Sequence, residues 1–391
     1  MRAMARRLPA LIALLAASHA VQAAEYTAGY RVSVDGEHDD NVRLTEQDTQ
    51  SISGASIAPG LKLGYRTADV TATLDTRLNF ATYDESAYDS NDQRLQFDVN
   101  KTTPRNEFGL QAGMNRDSTR TSELEDTGRV SDEATRHEDY WFSPRWLTYI
   151  GKRDALQFGA SAHDVSYDSR SYIDYTTGQG DITWLHILTP RTTLKLQAYF
   201  NRYEADNLLS TETDSTGLMA GGDYEVSKNL KLSGLVGISN VESNYDVPQG
   251  FPFVVNDSSD DVWVADTTLE YTQPRWKLAL NLASQTFPSG DGYVQKRDYG
   301  RLSYSFRITD MATLRLAALY GQNESVDDRA NVNRDYADGE AGLDWRINRS
   351  WYLTARYRYR FQDHETSPGD ADSNAVFFGI RYEPTTKRWS R

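Results

Sequence analysis

The chain has 391 residues, no cysteine, 24 Tyr, 8 Trp and 13 Phe, a formal charge of −14 and a mean hydropathy of −0.66. Without cysteine there is no disulfide framework, thiolate metal site or Cys nucleophile. The acidic balance argues against a nucleic-acid surface, and beyond the N-terminus no apolar run reaches the ~18 residues of a membrane helix. Aromatics at 12% are nevertheless too many for a disordered chain, so a polar sequence is carrying a surplus of rings.

Residues 1–23 read as a secretory signal peptide. Arg2, Arg6 and Arg7 make a basic start, Leu8 to Ala17 an apolar run, and Val21-Gln22-Ala23 a small-residue cleavage site. The apolar run is about half the ~20 residues that a membrane anchor needs. The mature chain then starts at Ala24, and loss of three arginines takes its charge from −14 to −17.

From residue 24 onward the pattern has a period of two. Val70, Ala72, Leu74, Thr76, Leu78 and Phe80 alternate with Thr71, Thr73, Asp75, Arg77 and Asn79. Leu194, Leu196, Ala198 and Phe200 alternate with Lys195, Gln197, Tyr199 and Asn201; Trp276, Leu278, Leu280 and Leu282 alternate with Lys277, Ala279, Asn281 and Ala283. The clearest case is near the end: Trp351, Leu353, Ala355, Tyr357, Tyr359 and Phe361 on one face, Tyr352, Thr354, Arg356, Arg358 and Arg360 on the other. A helix would scatter both sets, whereas a strand separates them. The chain reads as all-β.

The connectors count the strands. Short turns are expected at 66–69, 101–105, 150–153, 188–191, 226–229, 272–275, 308–311 and 347–350, three of them with Pro before Arg (Pro104, Pro190, Pro274). Longer polar loops are expected near 38–51, 83–91, 117–135, 168–174, 204–211, 243–257, 287–291, 324–333 and 364–373. Eight short turns alternating with nine long loops predict about eighteen antiparallel strands, with both termini on the short-turn side. That is the layout of a transmembrane up-and-down β-barrel of the bacterial outer membrane, with both termini periplasmic. Tyr65, Trp146, Tyr149, Tyr224, Tyr271, Trp276, Trp345, Trp351 and Tyr382 fall near the short turns or the last strand end, as a periplasmic aromatic girdle would. Arg356, Arg358 and Arg360 cannot all enter a packed core unpaired. A cylinder of eighteen tilted strands is about 35 Å across, too wide for side chains to fill, so the lumen is expected to be solvated. Pro59 and Pro144 inside predicted strands call for bulges or strand ends.

Catalytic and metal chemistry find little footing. The histidines of the mature chain, His38, His137, His163, His186 and His364, are scattered, with no His-x-x-x-His pair, and no cofactor motif appears. A surface hydrolase on His163-Asp164 and Asp39-Asp40 is disfavoured, because adjacent strand residues point to opposite faces and the strand count disagrees. No catalytic residue and no metal ligand is expected. The acids of the first loop (Asp35, Glu37, Asp39, Asp40, Glu46, Asp48) and the third (Glu123, Glu125, Asp126, Asp132, Glu133) fit solvated loops better than divalent-cation bridges to lipopolysaccharide. The strongest constellation is on the last six strands, where Lys277, Arg297, Arg301, Arg307, Arg315, Arg346, Arg356, Arg358, Arg360 and Arg381 share the inward phase with only Asp338, Glu340 and Asp344. Such a lumen wall either selects anions and contacts an acidic polymer or stiffens the barrel through cross-strand pairs.

The segments Tyr30-Arg-Val-Ser-Val-Asp-Gly-Glu-His-Asp-Asp-Asn-Val-Arg-Leu44 and Ser56-Ile-Ala-Pro-Gly-Leu-Lys-Leu-Gly-Tyr65 resemble the opening of the type-2 outer-membrane β-barrel porin family, which is similar to the EpsL-like barrels associated with exopolysaccharide gene clusters. The resemblance implies a conduit exporting a secreted polysaccharide of the biofilm or capsule type, working with periplasmic export components and set in outer-membrane lipid and lipopolysaccharide. It brings no catalytic residues and no cofactor. The family commonly ends in an aromatic residue; here nine residues follow Tyr382, and 383–391 read as a periplasmic tail. The alternative reading is a diffusion porin for small anionic or sugar solutes, with the third loop, about 117–135, folded inward as a constriction.

Overall fold

In the computed structural model, the described residues are 24–120, 135–208, 210–246, 257–326, 333–364 and 370–390. The signal peptide and residues 121–134, the body of the third loop, lie outside them. The strands are β1 (Glu25–Asp39), β2 (Ile52–Arg66), β3 (Val70–Tyr83), β4 (Ser90–Thr102), β5 (Asn106–Ser118), β6 (Arg136–Tyr149), β7 (Asp154–Tyr167), β8 (Tyr175–Thr189) and β9 (Thr192–Ala205). They continue as β10 (Glu212–Glu225), β11 (Leu230–Asn244), β12 (Ser258–Thr272), β13 (Trp276–Pro288), β14 (Val294–Arg307), β15 (Ala312–Ser325), β16 (Arg334–Arg346), β17 (Trp351–His364), β18 (Asp370–Tyr382) and a four-residue β19 (Lys387–Ser390). Strands β1 to β18 each pair antiparallel with their sequence neighbours among these eighteen, and β1 closes the circle against β18. The result is a closed eighteen-stranded up-and-down barrel with a short nineteenth segment at the seam.

Alternation explains how a polar chain makes this wall. Trp351, Leu353, Tyr357 and Tyr359 are exposed on the outside, as are Leu194, Leu196 and Phe200. Such apolar exposure fits lipid rather than water. Strands of 13 to 15 residues exceed the 9–11 that a tilted strand needs to cross the apolar layer, leaving strand outside it to carry loop contacts.

The short turns are held by their own side chains. The hydroxyl oxygens of Thr67, Thr103, Ser227 and Thr309 accept the backbone N–H of Val70, Asn106, Leu230 and Ala312 at 3.0–3.1 Å, and Asn348 Oδ1 accepts that of Trp351 at 3.0 Å. These residues mimic a backbone turn and fix the hairpin. Just above this rim, ring pairs belt the outer face: Tyr271–Trp276 at 4.7 Å, Trp351–Tyr382 at 4.8 Å, Trp146–Phe158 at 5.2 Å and Tyr26–Tyr65 at 5.4 Å between centroids.

Three local expectations change. Pro59 and Pro144 produce no bulge: pairing stops at Ile57↔Phe80 and resumes at Gly60↔Arg77, and likewise from Phe142↔Ala162 to Arg145↔Gly159, with register unchanged. The missing proline N–H removes a ladder bond without inserting a residue. The one register shift within a hairpin is between Ile187 and Thr189, beside Pro190. Residues 383–390 also continue the wall. Val32 faces Tyr382 but Ala28 faces Lys387, so residues 383–386 stand opposite 29–31, a one-residue bulge. Barrel stagger leaves the first seven residues of β1 below the end of β18, and β19 pairs with that overhang. Trp389 stacks on Tyr26 at 5.9 Å and extends the girdle across the seam. Finally, β1 runs through Asp39, so Asp35, Glu37 and Asp39 line the inner wall rather than a loop.

Candidate functional site

The lumen has two unlike halves. Along β10 and β11 the upper inner face carries small polar residues that are almost fully buried: Thr213, Ser215 and Ser239. Two loops pack inward on this side. Residues 289–293, between β13 and β14, reach inward to β9, where Tyr203 Oη donates to the Ser289 carbonyl at 2.9 Å. The loop between β7 and β8 meets them, with Ile173 N–H donating to the Gly290 carbonyl at 2.8 Å. Tyr203, Ala205 and Val294 form the buried cluster, joined by Ile173 and Tyr175, and Val165, Tyr167 and Tyr172 form a second beside it. Gly292 has φ +87°, a conformation that side chains other than Gly rarely adopt. These loops form a strap across one side of the mouth.

On the opposite side the first loop also turns inward. Val42 and Leu44 are buried, Leu44 against Tyr336 of β16 and Ala371 of β18, Val42 against Ile52 and Tyr88. Asn41 donates to the carbonyls of Thr45 and Asp372 at 2.8 Å, and Gln362 donates to that of Leu44 at 2.7 Å. Below the loop, Arg360 Nη2 donates to Asp39 Oδ2 at 2.6 Å and Ser373 Oγ to Asp39 Oδ1 at 2.7 Å, with the ion pair about 5% exposed. Across β1–β5, Arg120 donates to Tyr83 Oη, which donates to Glu37 Oε2, both at 2.7 Å. Among the described residues, the inward loops are therefore 40–51, 168–174 and 289–293.

Between these latches and the short-turn rim lies a chamber of about 660 Å³ against β1–β5 and β15–β18. Several of the expected lumen cations meet acids there. Arg315 pairs with Asp344 and Arg358 with Asp338, while Arg356 lies 3.7 Å from Glu340 and Arg381 3.8 Å from Asp344. Arg356 also covers one face of the Phe377 ring at 4.0 Å, and Arg381 one face of the Tyr352 ring at 4.7 Å. Arg297 lies apart, on Asn323 and the Phe287 ring. Arg346 donates to the Asp310 carbonyl at the short-turn rim. Lys277, Arg301 and Arg307 have no carboxylate within 4 Å among the described residues. The sequence reading stops at β18, but closure brings in cations it missed: Arg31 on β1, Arg77 on β3 and Arg94 on β4. Their signal was their phase, the same as that of Arg356 and Arg358 once β1 is set against β18.

The histidines and acids of the hydrolase alternative are separated. His163 Nδ1 faces Asp139 at 3.1 Å, Asp164 lies opposite Tyr140, and Asp39 belongs to Arg360. Among the described residues no group of three or more His, Asp or Glu is placed to hold a metal.

No family model matches the chain, and no curated protein matches it. Solved structures do. OccK2 (OpdF) of Pseudomonas aeruginosa, in complex with glucuronate, is 12% identical over 92% of this chain and 98% of that one, with a TM-score of 0.48. Acinetobacter baumannii OccAB4 is 11% identical over 94% and 99%, TM-score 0.45. The FrpB iron transporter of Neisseria meningitidis (F3-3 variant) is 8% identical over 91% and 81%, TM-score 0.48. At this distance solutes are not transferable, and the exopolysaccharide-associated family gains no support. The lipid-facing belt, aromatic girdle and closed eighteen-strand wall make the chain a β-barrel of the bacterial outer membrane.

Proposed function

We propose that the barrel is a diffusion channel for small anionic solutes, sugar acids among them, with the short-turn rim and both termini in the periplasm. The observation that carries this reading is a cationic chamber set directly beneath a mouth narrowed by inward-packed loops. Charge rings in a pore select by sign, and a narrowed mouth selects by size. A polymer in transit needs a clear bore, which the strap and first loop obstruct. The test is the reversal potential of the purified barrel in a planar bilayer under a KCl gradient. Anion selectivity is the expected result, and cation selectivity would sink the reading.

Export of an exopolysaccharide, with a secreted polymer and periplasmic export components as partners, is the second reading. Favouring it is the vertical extent of the basic wall, from Arg381 opposite Tyr352 up to Arg360 beside the first loop. Deletion of the gene would then abolish secreted polymer with synthesis intact; unchanged surface polymer leaves the diffusion channel alone.

A further inference from the structure

The inner wall of β1–β4 contains an arrangement that the barrel's own stability does not explain. Arg31 stands opposite Gly60, Gly60 opposite Arg77, and Arg77 opposite Arg94, one continuous cross-strand row over four strands. Like charges placed directly opposite on antiparallel strands destabilise a sheet. Gly60 brings the third guanidinium into the group, since Arg31 Nε lies 3.1 Å from where a Gly60 Cβ would sit. A fourth, Arg356 of β17, comes across the seam to line the same chamber, with Asp35 of β1 beside them.

The acids nearby do not neutralise the group. Asp75 lies 3.9 Å from both Arg31 and Lys62, and Glu340 3.7 Å from Arg356. Among the described residues, Arg77 and Arg94 have no carboxylate within 4 Å. Five cations (Arg31, Lys62, Arg77, Arg94, Arg356) therefore outnumber the carboxylates set around them (Asp35, Asp75, Asp92, Glu340). Elsewhere on this wall the arginines are spent on structure: Arg360 on Asp39, Arg120 on Glu37, Arg358 on Asp338. Arg31, Arg77, Arg94 and Arg356 are instead exposed to the chamber.

We propose that Arg31, Arg77, Arg94 and Arg356 form a binding site for a small dianionic oxyanion, a dicarboxylate or a phosphate group, which supplies the charge that the wall lacks. Guanidinium forks bind such oxygens through paired charge-assisted hydrogen bonds, and three forks in a row with a fourth across the seam suit two charges better than one. The site deepens the anion-channel reading and rests on it for how solute arrives, but its occupancy is measurable without any current.

The probes are inorganic phosphate at pH 8 and succinate, with acetate and chloride as controls, on the full purified barrel in detergent and in planar bilayers. In low salt, phosphate or succinate raises Tm of the native barrel, acetate at equal ionic strength does not, and R77Q/R94Q abolishes the rise. In bilayers the same dianions interrupt the chloride current at concentrations at least tenfold below acetate, and R77Q/R94Q raises that half-blocking concentration tenfold or more. K195Q/D223N, on the opposite side of the lumen, leaves both readouts unchanged. Without ligand, R77Q melts no lower than the native barrel, since it removes a repulsion. Equal effects of dianions and acetate, or an unchanged response in R77Q/R94Q, overturn the site. If the pore is anion-selective yet shows neither response, the site falls and the channel reading stands. If dianions stabilise the barrel through these residues but the pore selects cations, the channel reading falls and the site stands. Response to succinate alone assigns a dicarboxylate, and response to phosphate alone a phosphate group.

Discussion

The two halves of the lumen are built from the same strand geometry and end as different materials. Along β7–β13 the inner face carries buried Ser and Thr near its loop end, and the strap of residues 289–293 reaches it with Tyr203 as its anchor. Along β14–β18 and β1–β5 the inner face is made of arginine, and the loop above it leaves an open chamber. Small side chains let the strap approach the wall closely; on the arginine side the first loop anchors above the charged rows, on Tyr336 and Ala371, and the chamber stays open beneath it. In the filled half Lys195 pairs with Asp223 at 2.7 Å, and Asn281 donates a hydrogen bond to Asp266 at 2.7 Å. One half closes the pore and the other furnishes it.

The largest effect should come from erasing the difference. Replacing residues 289–293 with a two-residue turn removes the strap, and single-channel conductance should rise several-fold; an unchanged conductance would mean that the filled half does not limit flow. Next comes charge. The variant R31Q/R77Q/R94Q/R301Q/R307Q should move the reversal potential strongly towards cation selectivity, whereas K195Q/D223N on the filled side should leave it in place.

Stability predictions sharpen the same contrast. Arg360 and Asp39 are both about 95% covered, and removing one partner of a buried pair costs roughly 3–5 kcal/mol. R360A should therefore lower the denaturant midpoint of the detergent-folded barrel and loosen the first loop, while R360M/D39L should recover most of the loss. The smallest effect is at the strap anchor. Y203F deletes one buried hydrogen bond to a carbonyl, worth about 1 kcal/mol, and should appear as a small drop in Tm with more frequent brief openings in single-channel records.

Much of this was legible from residues alone because strand alternation has a period of two and tolerates no ambiguity once one face is apolar. The tight turns were readable from Pro104, Pro190 and Pro274, and the turn-capping Thr67, Thr103, Ser227, Thr309 and Asn348 carry the same information in hydroxyl and amide form. The inward phase of Arg356, Arg358 and Arg360 was equally clear. Arg31, Arg77 and Arg94 had the same phase and were overlooked, since nothing local to β1–β4 says that β18 lies beside them. The inward loops also left a trace: Val42, Leu44 and Ile173 are apolar residues in polar connectors, and each is a place where the loop packs against the wall. The loop expected to constrict the pore, near 117–135, was chosen by its length, and most of it lies outside the described residues; the constriction described here comes from three shorter loops with apolar anchors.

The sequence by itself determined the wall: which residues face lipid, which face the lumen, how many strands there are and which rim has tight turns. All of these follow from interactions within one strand or one hairpin. Only the tertiary structure decided which lumen residues meet, since closure joins β18 to β1 across more than 300 positions and places Arg356 near Arg77. It alone sorted the arginines into those neutralised by an acid and those left facing water, because each pairing depends on cross-strand register and on where a Gly leaves room. A polar, acidic chain rich in rings thus becomes a barrel by local rules, and a cationic chamber only by closing the circle.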